Sequence, residues 1–467
     1  MAIAIALVVL LLGSVLFHLL SPWYLTPLAS NWGAMDSTIS ITFWVTGLVF
    51  IAVNLFLVYA IVRFRYNRNR RSAYEPENKK LEMWLTGLTT IGIAALLAPG
   101  LIVWGKFVNV PPDAHEVEAI GQQWHWSYRF PGEDGQLGRV SPHLIDSTNP
   151  FGIDPEDPHS QDDVLVSNPR VHLPVDQPVK LLLRSKDVLH NFAVAQFRAK
   201  MDLVPGVVSY IWLTPTRTGE FEILCQELCG VGHFAMRGMV VVDEQADFDA
   251  WLDEQPTWSE IAARVPADPA AGEGLYAVCA SCHGAQGEGN PALNAPKLAG
   301  MDAWYVRRQL ENFRAGSRGA HPEDAYGSQM AAMANTLPDA ASIDHVAAYI
   351  KSLPDEPVEH TVSGNVDRGE RIYRTCANCH GADGQGIQAI NAPRQAGMSD
   401  WYLVTQLRNF KEGIRGSHPL DLHGSQMARM ASILGDDQAI NNVVAYINTL
   451  PLPDERESAQ ALARRNP

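Results

Sequence analysis

Cys225-Gln226-Glu227-Leu228-Cys229-Gly230-Val231-Gly232-His233-Phe234-Ala235-Met236 is the stretch on which the reading of this chain turns. It offers two thiols four residues apart, an imidazole and a thioether. His190, in Asp187-Val188-Leu189-His190, supplies a second imidazole upstream. Thiolate, imidazole and thioether form a soft donor set that suits copper. A mononuclear blue-copper site uses one cysteine, whereas two cysteines on one loop can bridge two copper ions. A plain Cys225–Cys229 disulfide would leave the histidines and the methionine at these offsets unexplained.

Around this loop, residues 115–243 read as β-structure. VHLPVDQPVKLLLRS (171–185) and YIWLTPTRTGEFEIL (210–224) are β-branched and apolar runs broken by proline and glycine. An acidic, proline-rich insertion at 131–175, from PGEDGQLG to DPEDPHSQDD, is expected to be surface loop.

Toward the N-terminus, Ser37 to Val62 carries no charge. As a helix it reaches about 39 Å, enough to cross a hydrocarbon core of ~30 Å. Met83 to Gly105 is a second uncharged run. Between them lie Arg63, Arg65, Arg68, Arg70, Arg71, Lys79 and Lys80. So basic a loop belongs on the cytoplasmic side, which puts everything after Lys106 outside. Pro99-Gly100 is expected to kink the second helix. Met1 to Leu20 is a third apolar stretch, either a signal peptide or an extra anchor helix.

Toward the C-terminus the chain repeats itself. Cys279-Ala280-Ser281-Cys282-His283 recurs as Cys376-Ala377-Asn378-Cys379-His380, an offset of 97 residues. Trp304 and Trp401, Met330 and Met427, and Tyr349 and Tyr446 keep the same offset. A constant register of this kind means two copies of one domain. C-x-x-C-H is the attachment signal of c-type haem, in which histidine takes the iron. A zinc knuckle would need further cysteine pairs. The six cysteines of the 467-residue chain are all used in these three close pairs. The formal charge of −15 disfavours nucleic acid as a partner and suits a soluble outer region or a basic protein partner.

From about Asn31 to Val242 the chain resembles subunit II of cytochrome c oxidase. FRAKMDLVPG (197–206) and CQELCGVGHFAM (225–236) carry the likeness. The resemblance implies a cupredoxin-like barrel holding the dinuclear copper site CuA. His190, Cys225, Cys229, His233 and Met236 would be side-chain ligands. Glu227 would give its backbone carbonyl to copper and its carboxylate to magnesium at the boundary with subunit I. Trp124, in Gln122-Gln123-Trp124-His125-Trp126, would receive electrons from a docked cytochrome c, although His125 departs from the aromatic common at that place. Glu82 matches an acid near the mouth of a proton channel.

Each repeat resembles a class I cytochrome c domain. The carbonyls of Pro296 and Pro393, in two Asn-Ala-Pro stretches, would hold the haem histidines. Both copies read GSQM-x-x-M. Met330 and Met427 are favoured as sixth ligands over Met333 and Met430 because they stand seven rather than four residues before Leu337 and Leu434, leaving room for a loop across the haem face.

The expected architecture is multidomain: a signal or anchor segment at 1–22, a transmembrane helical hairpin at 23–110, a cupredoxin CuA domain at 111–245, and two all-α cytochrome c domains at 268–355 and 364–453. The expected function is an electron relay from two covalently bound c-type haems through CuA to the oxygen-reducing haem a and CuB of subunit I. Subunit III, membrane lipid and a periplasmic cytochrome c or other donor are the expected partners, at a bacterial inner membrane crossed more than once. A CuA-bearing nitric oxide reductase subunit and a membrane-anchored electron carrier are the alternatives.

Overall fold

The computed structural model describes residues 1–21, 26–71, 76–145, 149–263 and 267–452. The expected boundary at 22–23, and parts of the basic loop, the insertion and the stretch joining the copper domain to the first cytochrome domain, lie outside them.

Three long apolar helices come first: α1 (Ala2–Leu20), α2 (Gly33–Arg63) and α3 (Lys79–Val108). Each is long and apolar enough to cross a membrane. Neither α2 nor α3 has a buried residue, so their apolar side chains face outward all round. α1 lies along α2, with the His18 ring facing Phe43. α3 starts where the Asn78 side chain accepts from Leu81 N–H, and Pro99 lies inside the continuous helix.

Ten strands follow: β1 (His115–Gln122), β2 (His125–Phe130), β3 (Val164–Val166), β4 (Arg170–Pro174), β5 (Val179–Ser185), β6 (His190–Val194), β7 (Ala199–Leu203), β8 (Ser209–Leu213), β9 (Gly219–Cys225) and β10 (Arg237–Asp243). They form two five-stranded sheets, ordered β3-β2-β1-β5-β8 and β4-β10-β9-β6-β7. The sheets enclose Trp126, Tyr128, Phe192, Phe197, Leu173 and Leu181.

This barrel is fixed to the top of the hairpin. The Arg198 guanidinium grips the Asp36 carboxylate at 2.7 and 2.9 Å. Trp212 Nε1–H donates to Lys106 O at 3.2 Å, Tyr210 O–H to Val108 O at 3.0 Å, and Trp32 Nε1–H to Trp212 O at 3.0 Å.

The 131–175 insertion departs from the surface loop expected of it. Phe151 and Ile153 are buried with Ile120, Leu165 and Trp258 in a small second core. Buried Arg129 donates to Glu118 at 2.8 Å and to Asp163 at 2.6 Å, and Asp163 also accepts from Gly138 N–H. Acidic composition concealed this, because some of the carboxylates neutralise buried arginine instead of facing water.

Beyond β10, α4 (Gln245–Asp253) and α5 (Trp258–Ala262) lead into two four-helix units. The first has α6 (Pro269–His283), α7 (Ala303–Arg314), α8 (Ala325–Ala334) and α9 (Ala340–Ser352). The second has α10 (Val366–His380), α11 (Asp400–Lys411), α12 (Leu422–Ala431) and α13 (Asp437–Ile447). In each, the first helix crosses the last at a glycine. A Cβ on Gly272 would run into the His345 carbonyl, and one on Gly369 into the Asn442 carbonyl. The GSQM-x-x-M stretches lie within α8 and α12 rather than on the loop expected from sequence.

The linker between the units is ordered. Lys297 and Arg394, equivalent positions of the two copies, both reach Asp355, at 2.7 and 2.5 Å. A second pair of equivalents faces across the interface. Arg318 donates to Tyr402 O–H at 2.7 Å and Arg415 to Tyr305 O–H at 3.3 Å.

Candidate metal and haem centres

β9 ends at Cys225 and β10 starts just after Met236, so the hairpin between them presents the motif as one tight loop beside His190, which opens β6. Cys225 Sγ lies 3.7 Å from Cys229 Sγ and 4.0 Å from His190 Nδ1. Cys229 Sγ lies 3.5 Å from His233 Nδ1 and 3.8 Å from Met236 Sδ. The Glu227 carbonyl oxygen is 3.2 Å from Cys225 Sγ. Ligand atoms of His190, Cys225 and Cys229 all fall within 4.8 Å of one another, and the three residues are buried. Two sulfurs side by side, flanked by imidazoles on either hand, fit a bridged copper pair by donor chemistry. The two thiols act on each other in opposite directions: contact with Cys229 draws Cys225 well below the ordinary thiol value, as a thiolate ligand requires, while the same contact pushes Cys229 up.

Supporting residues that the motif did not reveal hold this loop. Asp187 Oδ1 binds His190 Nε2 at 2.8 Å, turning Nδ1 toward the sulfurs. Gln123 N–H donates to the other Asp187 oxygen at 2.6 Å. The side chains of Gln123 and Trp124 both donate to the Cys229 carbonyl, at 2.7 and 3.1 Å. Gly232 lies flat on the Trp124 ring, where a Cβ would collide. The Asp187 signal was readable as an acid three residues before His190. That of Gln123 was not, since it depends on packing across the barrel.

In the repeats, Cys279, Cys282 and His283 close α6, and Cys376, Cys379 and His380 close α10. His283 Nδ1 meets Pro296 O at 2.8 Å and His380 Nδ1 meets Pro393 O at 2.7 Å. Burial lowers both imidazole pKa values, keeping them neutral. Nδ1–H donation leaves Nε2 as the lone-pair donor. A cavity lies over His380, lined among others by Cys376, Cys379, Met427 and Met430. Met330 and Cys279 both pack against the core of the first copy.

Residues 115–244 match the family described as "Cytochrome C oxidase subunit II, periplasmic domain". Residues 269–354 and 366–451 match "Cytochrome c". An alternative cytochrome c oxidase subunit 2 of Bradyrhizobium diazoefficiens is 55% identical over 264 residues, which are 56% of this chain and 95% of that protein. The chain belongs to the cytochrome c oxidase subunit II family. The cytochrome c oxidase subunit 2 of Cereibacter sphaeroides is 28% identical over 260 residues, 52% of this chain and 83% of that protein. A crystal structure of the periplasmic domain of subunit II (CoxB) of Bradyrhizobium japonicum is 27% identical and covers 31% of this chain and 95% of that one, with a TM-score of 0.23.

Membership makes this chain a subunit of a haem-copper oxidoreductase that relays electrons from c-type haem through CuA to the oxygen-reducing centre of subunit I. It assembles with other oxidase subunits, is anchored in a membrane by apolar N-terminal helices and carries a periplasmic domain. The fold class is that expected: apolar helices, a cupredoxin-like β domain and helical cytochrome c domains.

Proposed function

We propose that Cys225 and Cys229 bridge the two copper ions of CuA, with His190, His233, Met236 and the Glu227 carbonyl completing the set. The convergence of four side-chain donors on one largely buried loop with His190 at the start of β6 carries this reading. The Glu227 carboxylate holds magnesium at the face toward subunit I. Leu228, Val231 and Phe234 on the same loop are exposed apolar side chains that a neighbouring subunit would cover.

Two haems are bound, one per repeat. Cys279 and Cys282 attach the first, with His283 on its iron; Cys376, Cys379 and His380 serve the second. Met330 and Met427 are the sixth ligands. Haem and CuA each exchange single electrons, and the protein's part is to hold them at fixed separation in a low-dielectric setting. Trp124 is the residue through which electrons reach the copper loop. Glu82, exposed in the first turn of α3, stands near a proton channel of subunit I.

The units run over 23–110, 111–245, 268–355 and 364–453, after a segment 1–22 that is either a signal peptide or an anchor. α2 and α3 cross a bacterial inner membrane as a hairpin against lipid and subunits I and III. The seven basic residues at and between their adjoining ends stay in the cytoplasm, because each would cost ~2.5–3.5 kcal/mol at a bilayer centre. The electron donor is a periplasmic cytochrome c or similar carrier.

Cys225→Ser and His233→Ala, made in the full chain, test the copper assignment. Metal analysis should find two coppers lost per chain and both haems kept. Copper absorbance surviving in Cys225→Ser would refute it.

A further inference from the structure

Trp124 is only 5% exposed and His125 only 2%. What covers them is α12 and the end of α10, in the second cytochrome domain of the same chain. Cys379 and Met430 pack onto the core of the copper domain. The His423 ring stacks on His125 with centroids 5.8 Å apart. Gln426 Nε2–H donates to His125 Nδ1 at 3.3 Å, and His125 Nε2 meets Ser167 O at 3.1 Å. Those two contacts require one tautomer, Nε2–H, of a neutral ring. Asn391 Nδ2–H adds a bond to Ser167 O at 3.2 Å.

The repeat provides an internal control. Ile390, Cys379, His423, Gln426 and Met430 correspond at the 97-residue offset to Leu293, Cys282, Tyr326, Gln329 and Met333. In the second copy Ile390 is 7% exposed, whereas in the first copy Leu293 is 49%, Tyr326 51% and Met333 36% exposed. Cys282 and Gln329 are exposed as well. The surface that seats the second domain on the copper loop is therefore open on the first.

We propose that the Trp124 face of the copper domain is occupied by this chain's own second cytochrome domain, and that the external donor, a basic one-electron carrier protein, docks on the Leu293–Tyr326–Met333 face of the first. The inference rests on the copper and haem assignments above. The first cytochrome domain, residues 269–354, is itself net acidic, with eight Asp and Glu against six Lys and Arg, which favours a basic partner. An apolar centre with a charged surround is the usual anatomy of a transient docking patch. The transfer makes and breaks no bond. The carrier is oxidised by one electron and the copper domain reduced by one. Between them the chain offers a packed route from Cys379 to the Trp124 ring, and from Trp124 Nε1–H to the Cys229 carbonyl.

The test uses the assembled oxidase, with copper and haem contents measured first; loss of either would count against the site assignments and not against this inference. Reduced, strongly basic soluble cytochrome c is mixed anaerobically, and carrier oxidation and copper reduction are followed separately by absorbance. Leu293→Lys with Tyr326→Lys should slow carrier oxidation about tenfold at low salt and leave the later copper phase unchanged. Trp124→Phe should slow only the copper phase, whose rate should depend on neither carrier concentration nor salt. Hydroxyl-radical footprinting of the unmutated complex should find Trp124 protected and Tyr326 labelled until carrier is added. A copper phase whose rate rises with carrier concentration, or Trp124 labelled in the resting complex, would overturn the proposal.

Discussion

At the scale of single residues, the two methionines of each GSQM-x-x-M stretch pose the sharpest question. Helical spacing puts Met330 and Met333 on neighbouring positions of one α8 face. Their surroundings differ. Met330 lies against the core, as does Cys279, while Met333 is 36% exposed on the open face. In the second copy Met430 packs against the copper domain. A thioether tied up in an inter-domain contact is a gap-filler, which favours Met427 for iron. Met330→Leu should abolish the near-infrared sulfur-to-iron band and lower the potential of the first haem, whereas Met333→Leu should leave both in place. The opposite pattern would exchange the two roles. Legibility at this scale was uneven. Cys225, Cys229, His233 and Met236 declared themselves by type and spacing along one hairpin. Gln123 could not, because its bond to the Cys229 carbonyl joins positions 106 residues apart. His125 looked like a departure from family pattern until His423 supplied the ring it stacks on.

At the scale of elements, the insertion shows how composition misleads. A run rich in Asp, Pro and Gly reads as solvated loop, yet it carries Asp163, wholly buried against Arg129. Arg184 adds a second cation to Glu118 at 2.5 Å. Replacing Arg129 by methionine keeps the volume and strands Asp163 without its cation, at a cost of about 3–5 kcal/mol. Burial, working against Arg129, already pushes the Asp163 carboxyl up to about 6. Its folded pKa thus exceeds the unfolded one, so this group favours folding at low pH and loses that contribution as pH rises through 6. In Arg129→Met the shift should grow, so thermal unfolding should show a deficit that is larger at pH 8 than at pH 5. A deficit independent of pH would mean that Asp163 stays ionised by another partner. The helices, by contrast, were legible almost to their ends, since long charge-free runs admit few other readings. The exception was the methionine segment, expected as a loop and found helical, because Asp324 and Asp421 cap a turn that the loop reading did not consider.

At the scale of the whole molecule, the copper barrel stands on the helix ends through Arg198 and Asp36, and the cytochrome pair is locked through Asp355. Asp355→Asn removes the shared anion from Lys297, which is 1% exposed, and from Arg394. It should loosen the pair by about 2–4 kcal/mol, seen as faster proteolysis within 354–366 with haem content unchanged. An unaltered cleavage rate would show that the Arg318–Tyr402 and Arg415–Tyr305 contacts suffice alone. Those contacts have a consequence for the wiring of the chain. Through Arg318–Tyr402 and Arg415–Tyr305 the two copies present the same residue types to each other, so that pair of contacts does not distinguish head from tail. Toward the rest of the world they differ, with tyrosine at 326 where histidine stands at 423. A duplicated module has kept one side as a mirror and turned the other into a plug and a socket. Transposing the two modules would preserve every mirror contact and still leave the plug at the wrong end.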